Sequence, residues 1–200
     1  MDLPTVNIAD LTSLAIDVCD FLDRVQIPYA LTGGIALAVW GYPRSTIDVD
    51  LVLAVSSQSL TAWLNSADPK APFIMEPDEL VFPHMKVYRG LMRRMPESAE
   101  WVMVDMLIVD AAWSAEIMNR RQTVQLEQGP IWVCSPEDII LLKLFSPRDK
   151  DQEDIRMLMQ LRKERLDTAY IKDWSTRLGT ADRWRALTST PTPQSPASGS

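Results

Sequence analysis

The segment WVMVDMLIV, residues 101–109, constrains this chain more than any other. An apolar, β-branched run of that length reads as a strand buried within a sheet. Asp105 stands alone in the middle of it. An unpaired carboxylate in such a place costs several kcal/mol, so it holds a proton, lies against a cation, or binds a metal. Arg44 and Lys86 are candidate salt-bridge partners. A neighbouring strand carrying carboxylates of its own would offer the metal.

Residues 44–55 supply that strand. Over its first half Arg44, Thr46, Asp48 and Asp50 share one face, and Ile47, Val49 and Leu51 share the other. Asp48 and Asp50, two positions apart, project from the same side and repel each other unless a cation neutralises them. Either this is an exposed polar strand face, or it is an oxygen-only site of the kind that suits magnesium, which binds through one or two carboxylates and substrate phosphates. Asp105 on an adjacent strand completes the layout of a two-metal site for in-line phosphoryl transfer. Arg44 either pairs with these aspartates or reaches a nucleotide phosphate.

Upstream, residues 8–24 form a helix, with Leu11, Leu14, Ala15, Val18, Phe21 and Leu22 at helical spacing. Tyr29 to Thr32 is a short strand, and Ile35 to Trp40 a helix behind the turn Gly33-Gly34. Glycines between strand and helix let backbone N–H groups approach a phosphate, with the helix dipole in support; a Gly-Gly pair is also an ordinary turn. Gln58 to Leu64 reads as a helix, Asp68 to Pro77 as a loop, and Leu80 to Tyr88 as a strand limited by Pro83. Asp110 is expected to cap a helix over Ala112–Arg121, and 123–126 and 131–134 to pair as a hairpin. Ser135 is an N-cap with Pro136 at the first helical position and Asp138 three residues on, for a helix reaching Phe145. Within that apolar helix Lys143 either snorkels to water or meets a charged ligand. Helices are expected over Lys150–Lys163 and Asp167–Leu178, and the Pro/Ser/Thr-rich residues 188–200 are expected to be disordered.

Two hundred residues, 46% hydrophobic and 24% charged, suffice for a real core. A net charge of −7 excludes a uniformly basic nucleic-acid binder but not a local basic patch. Cys19 and Cys134, in apolar contexts without metal or disulfide spacing, read as buried free thiols. The sole histidine, His84, cannot make a His-rich metal site. The N-terminal residues do not resemble a signal peptide, and no apolar run approaches the roughly 20 residues of a membrane span, so a cytoplasmic protein is expected.

The stretch LTGGIALAVWGYPRSTIDVDLVL resembles the signature of the polymerase-beta-like nucleotidyltransferase superfamily: Gly-Gly, a spacer, then Asp-x-Asp on a strand. Gly33-Gly34 and Asp48-x-Asp50 fill those places, and the superfamily's third carboxylate falls on Asp105. The later SPEDIILLKLFSPRDKDQEDI looks like the ending of the AbiEii-type toxin branch and related bacterial families, where a Lys on one helix and a Lys-Asp pair before the next face the cleft. That carries over onto Lys143, Lys150 and Asp151, with Asp154 on the same helix.

This resemblance implies an α/β (α+β) nucleotidyltransferase fold, a mixed sheet flanked by helices with a helical C-terminal part. It divides the chain into a catalytic core over 1–134, a helical part closing the cleft over 135–187, and the tail. The activity implied is transfer of a nucleoside monophosphate from a nucleoside triphosphate such as ATP to an acceptor hydroxyl, with two Mg²⁺ ions on Asp48, Asp50 and Asp105. Lys143 joins these as a catalytic residue, and Gly33, Gly34, Arg44, Thr46, Lys150 and Asp151 form the nucleotide site. A toxin of this kind would act on tRNA and come with an antitoxin partner. Its basic groove would draw on Arg89, Arg93, Arg94, Arg156, Arg162, Lys163 and Arg165, which read equally as a solvated face. The rival readings are an aminoglycoside- or lincosamide-modifying enzyme and a non-catalytic antitoxin or regulatory module of the same fold.

Overall fold

The computed structural model describes residues 8–60, 73–93, 101–126 and 129–189. In chain order these form α1 (Ile8–Arg24), β1 (Tyr29–Thr32), α2 (Gly33–Val39), β2 (Asp48–Leu53), β3 (Phe73–Phe82), β4 (Met85–Arg93) and β5 (Trp101–Val109). There follow α3 (Ala111–Arg120), β6 (Gln122–Leu126), β7 (Gly129–Val133), α4 (Pro136–Lys143), α5 (Asp149–Leu161), α6 (Thr168–Arg177) and α7 (Ala181–Ser189). The strands make one mixed sheet in the order β3-β4-β5-β2-β1-β7-β6. β2 runs parallel to β5 and β1 parallel to β7, and the remaining neighbours are antiparallel. With helices around it, this is the mixed α/β architecture expected.

The sheet centre is built from the strands the sequence marks as apolar. Val49, Leu51 and Leu53, on the side of β2 away from the aspartates, are fully buried, as is Val104 of β5. The stripe Leu11, Leu14, Ala15, Val18, Phe21 and Leu22 buries α1 against β2 and β7; each large apolar side chain so buried contributes about 2 kcal/mol. Both cysteines are buried free thiols, and burial pushes Cys19 up to about 12, which makes it inert.

Several expectations need correction. β2 begins at Asp48, not Arg44, because Arg44 turns away to Asp154 and Thr46 turns back to Asp48. The segment read as one strand over 80–88 is the end of one strand and the start of another, joined by a turn at Pro83-His84 where His84 has φ 63. β3 starts at Phe73, inside the expected loop, and a register shift between Met75 and Glu79 accommodates Pro77, which has no N–H for the ladder. Asp110 occupies the N-cap position of α3 without a capping bond; its carboxylate binds His84 Nδ1 at 2.6 Å instead. The last helix, α7, extends to Ser189, past the expected start of the tail; its amphipathic pattern is short and ends on Thr188 and Ser189. Residues 190–200, and most of the helix expected over 58–64, lie outside the described residues.

The N-terminus of α4 holds as expected. Ser135 Oγ accepts from the Asp138 N–H at 3.1 Å and donates to Asp138 Oδ2 at 2.6 Å. Tyr170 of α6 donates to the same carboxylate at 2.7 Å, and Glu137 accepts the Asp167 N–H at 2.9 Å. The bonds from Tyr170 and the Asp167 N–H fasten α6 to α4, which carries Lys143. Among the described residues no helix is long and apolar enough to cross a membrane.

Candidate active site

Asp50 lies directly opposite Asp105 across the β2–β5 pair, and Arg89 directly opposite Asp105 across β4–β5. Side chains at opposed positions share a face of the sheet, so Arg89, Asp105 and Asp50 form a row, with Asp48 one step further along β2. The partner of Asp105 is therefore neither Arg44 nor Lys86. Arg89 forks onto it, Nε to Oδ1 at 2.8 Å and one terminal nitrogen to Oδ2 at 2.9 Å. Asp105 is 8% exposed, so this bidentate pair satisfies a carboxylate that would otherwise be costly. Lys86 instead pairs with Glu79.

Asp48 accepts from Thr46 Oγ1 at 2.6 Å. Among the described residues Asp50 has no such donor. Burial, then the charges of Asp48 and Asp105, push its carboxyl up to about 7, against the pull of Lys143 and Arg44. Crowded negative charge of this kind is what a divalent cation relieves. As the side chains stand, no group of three acidic, histidine or cysteine residues among those described is drawn together tightly enough to hold an ion. Asp48 and Asp50 remain the pair fitted for one, with Asp105 engaged by Arg89.

Both glycines are packed against this row. Gly33 has φ 64, and a Cβ there would lie 1.8 Å from Asp50 Oδ2; a Cβ on Gly34 would lie 2.5 Å from the Thr46 Cβ. The pair is therefore more than a turn: it lets the start of α2 touch the aspartate strand. Gly33→Ala is expected to lower stability by about 2–4 kcal/mol, from the left-handed backbone and the collision together. It should also displace Asp50; thermal unfolding and an assay of nucleotidyl transfer check both effects.

The cationic side of the cleft comes from the α4–α5 region. Lys143 Nζ donates to Asp151 at 2.6 Å and lies 2.7 Å from Asp154; Arg148 binds the other oxygen of Asp151 at 2.6 Å. Arg44 forks onto Asp154 at 2.9 and 3.0 Å. Lys143 thus neither snorkels nor stands free, and Arg44 pairs with a helix carboxylate rather than with Asp48 or Asp50. Burial alone would push Asp151 up; Lys143, Ser146 and Arg148 outweigh it and hold it down to about 2. The hydrogen bond to Asp151 raises the pKa of Arg148, and the field of Asp50 and Asp48 adds to it. Lys150 lines the cleft, is exposed and has no ion-pair partner among the described residues.

Together these walls enclose an open cleft of about 390 Å³, with the aspartate row, Thr32 and Gly33 on one side and Lys143, Arg148 and Lys150 on the other. That is within the size range of small-ligand sites. Sequence reasoning missed two residues here. Arg89 entered only as one arginine of a groove, and Arg148 only within the stretch SPEDIILLKLFSPRDKDQEDI, with no role; the alternation of Met85, Val87 and Arg89 could have put Arg89 on an inward face. Of the other groove candidates, Arg156 pairs with Glu153, Arg162 lies over the Trp40 ring, and Arg94 is outside the described residues.

A family model described as a nucleotidyltransferase of unknown function (DUF6036) matches residues 7–189. No curated protein matches the chain. Among solved structures it is similar to an antigenic nucleotidyltransferase-like protein from Paracoccidioides brasiliensis (TM-score 0.54, 20% identity, 92% of this chain and 95% of that one). It is also similar to JHP933 from Helicobacter pylori (TM-score 0.50, 18% identity, 91% and 81%). A third is ANT(2")-Ia in complex with adenylyl-2"-tobramycin (TM-score 0.55, 14% identity, 87% and 98%). At these identities the likeness is one of fold.

Proposed function

Because the chain belongs to the DUF6036 family of nucleotidyltransferases, we propose that its cleft transfers a nucleoside monophosphate from a nucleoside triphosphate to an acceptor hydroxyl. In this reaction the bond from the acceptor oxygen to the α-phosphorus forms, the α–β phosphoanhydride bond breaks, pyrophosphate leaves and the acceptor gives up its proton. The observation that carries the proposal is the packing of Gly33 onto Asp50, in a row of acidic side chains facing Lys143, Arg148 and Lys150 across one cleft.

Asp48 and Asp50 would hold Mg²⁺, with Asp105 beside them on Arg89. The ions would neutralise phosphate charge and favour departure of pyrophosphate. The protein's own groups do the rest. The N-terminus of α2 presents backbone N–H groups beside Asp50, where a phosphate gains from them and from the helix dipole. Lys150 and Arg148 offer positive charge at the cleft surface. Lys143 and Arg44, locked onto Asp151 and Asp154, fix α5 against the sheet and contribute their field rather than free ammonium or guanidinium groups. Arg89 orients Asp105 through its two bonds, at the edge of the row from which the acceptor would approach.

The test is incubation with each α-labelled triphosphate, Mg²⁺ and, separately, total RNA, cell extract and hydroxylated small molecules. Label is expected in an acceptor, with release of pyrophosphate, and lost in Asp48→Ala. Equal labelling by wild type and variant would overturn the proposal. Labelled tRNA would favour the AbiEii-type toxin reading, with its antitoxin. Failure to bind any triphosphate with Mg²⁺, alongside tight capture of a protein partner, would favour the non-catalytic module.

A further inference from the structure

On the far side of Asp105 from the nucleotide groups the character of the cleft changes. Leu80, Val87 and Leu107 stand opposite one another across β3, β4 and β5, and Phe82 stands opposite Met85 in the next row. All five line the same cleft as Asp105 and Arg89. Their position follows from strand alternation: Met85, Val87 and Arg89 share a face of β4, and Leu80 and Phe82 share the matching face of β3. Val87 and Met85 are nearly covered, whereas Leu80 is 45% exposed on the edge strand. A bound apolar body would cover Leu80 and the partly buried Phe82.

The charge at this end is balanced. Among the described side chains Arg89 and Asp105 neutralise each other, and Lys86 and Glu79 pair together on the opposite face of the hairpin. A polynucleotide needs several unspent cations along its path, and an oligocationic sugar needs several unspent carboxylates. Among the described side chains this surface offers neither.

Resting on the transfer reading above, we infer that the trough of Leu80, Phe82, Met85, Val87 and Leu107 is the acceptor subsite, and that it takes a small uncharged hydroxyl compound with an apolar body. The apolar part lies on the trough and the hydroxyl points along the row to Asp105. That places the nucleophile at the carboxylate farthest from α2, leaving the charged end of the cleft to the triphosphate.

Calorimetry on the full chain with methyl, butyl, hexyl and octyl β-D-glucosides, each below its micelle concentration, tests this. Affinity should rise by up to roughly fourfold for each added methylene that the trough covers. Leu80→Asp, at an exposed position, should weaken octyl glucoside at least tenfold and leave binding of ATP with Mg²⁺ unchanged. Val81→Asp, 67% exposed and on the other face, should change neither. Absence of a chain-length trend overturns the inference, as does displacement of octyl glucoside by tobramycin or tRNA. Weakened ATP binding in Leu80→Asp with unaltered glucoside binding would give the trough to the nucleobase and overturn it too. Intact Mg²⁺-dependent ATP binding alongside a failed glucoside series sinks this inference alone; the reverse sinks the transfer reading and the acceptor role with it, leaving the trough as a binding site only.

Discussion

Asp50→Asn is expected to abolish nucleotidyl transfer, by about a thousandfold or more, while making the metal-free protein more stable at pH 8. Both effects follow from the same crowding. Asp50 is held up to about 7 by burial, Asp48 and Asp105. The unfolded chain gives up this proton near pH 4, at about the ordinary aspartate value. Between those limits the folded state binds more protons than the unfolded one, so stability falls as pH rises through about 4 to 7. Above that window the wild type carries the full penalty of an ionised, crowded carboxylate. Asparagine cannot ionise and escapes it, but it removes a negative charge that a cation would need. Thermal melts at pH 4 and pH 8, with and without Mg²⁺, read both consequences. The variant should gain over wild type only at the higher pH, and Mg²⁺ should raise the melting temperature of wild type and not of the variant. Unimpaired transfer in Asp50→Asn would contradict this account.

Lys143→Met is expected to destabilise the fold by about 3 kcal/mol, since methionine matches the stem of lysine but leaves Asp151 and Asp154 short of a cation in a buried setting. Asp151 and Asp154 are 2% and 1% exposed, and among the described residues Lys143 is the one cation that touches both. Arg148 and Arg44 each hold on to one of them, which keeps the loss at that figure. For a domain of this size the melting temperature should fall by roughly 6–12 °C. Acid titration gives a second readout. Asp151 is held down to about 2, so the stability it adds is full above the ordinary aspartate range and is lost as pH falls toward 2. In Lys143→Met that contribution should shrink, and acid unfolding of the weakened fold should come at higher pH. Unchanged stability and an unchanged acid transition would show that α4 and α5 do not depend on this junction.

Much of this arrangement could be read from residue order. Alternation put Asp48 and Asp50 on one side of a strand, the apolar run around Asp105 put it inside the sheet, and Ser135-Pro136 set the start of α4. The partners could not be read, because strand order and register are properties of the folded sheet. Arg89 is sixteen residues before Asp105 in the chain, and only the antiparallel β4–β5 pairing sets them side by side. Arg44 and Asp154 are 110 residues apart and meet only because α5 folds back over the cleft. Gly33-Gly34 looked like a common turn until its contact with Asp50 and Thr46 gave it a steric reason. β3 was hidden for a local reason: Pro77 and the shifted register around it break the alternation that marks a strand.

The central claim is that Asp48 and Asp50 bind a divalent cation together with a nucleoside triphosphate. Titration with Mn²⁺, followed by electron paramagnetic resonance in the presence of a non-hydrolysable ATP analogue, tests it most directly. Wild-type protein should remove free Mn²⁺ from solution in a nucleotide-dependent manner, and Asp48→Asn and Asp50→Asn should not do so beyond the analogue alone. Undiminished Mn²⁺ binding in both variants would contradict the claim.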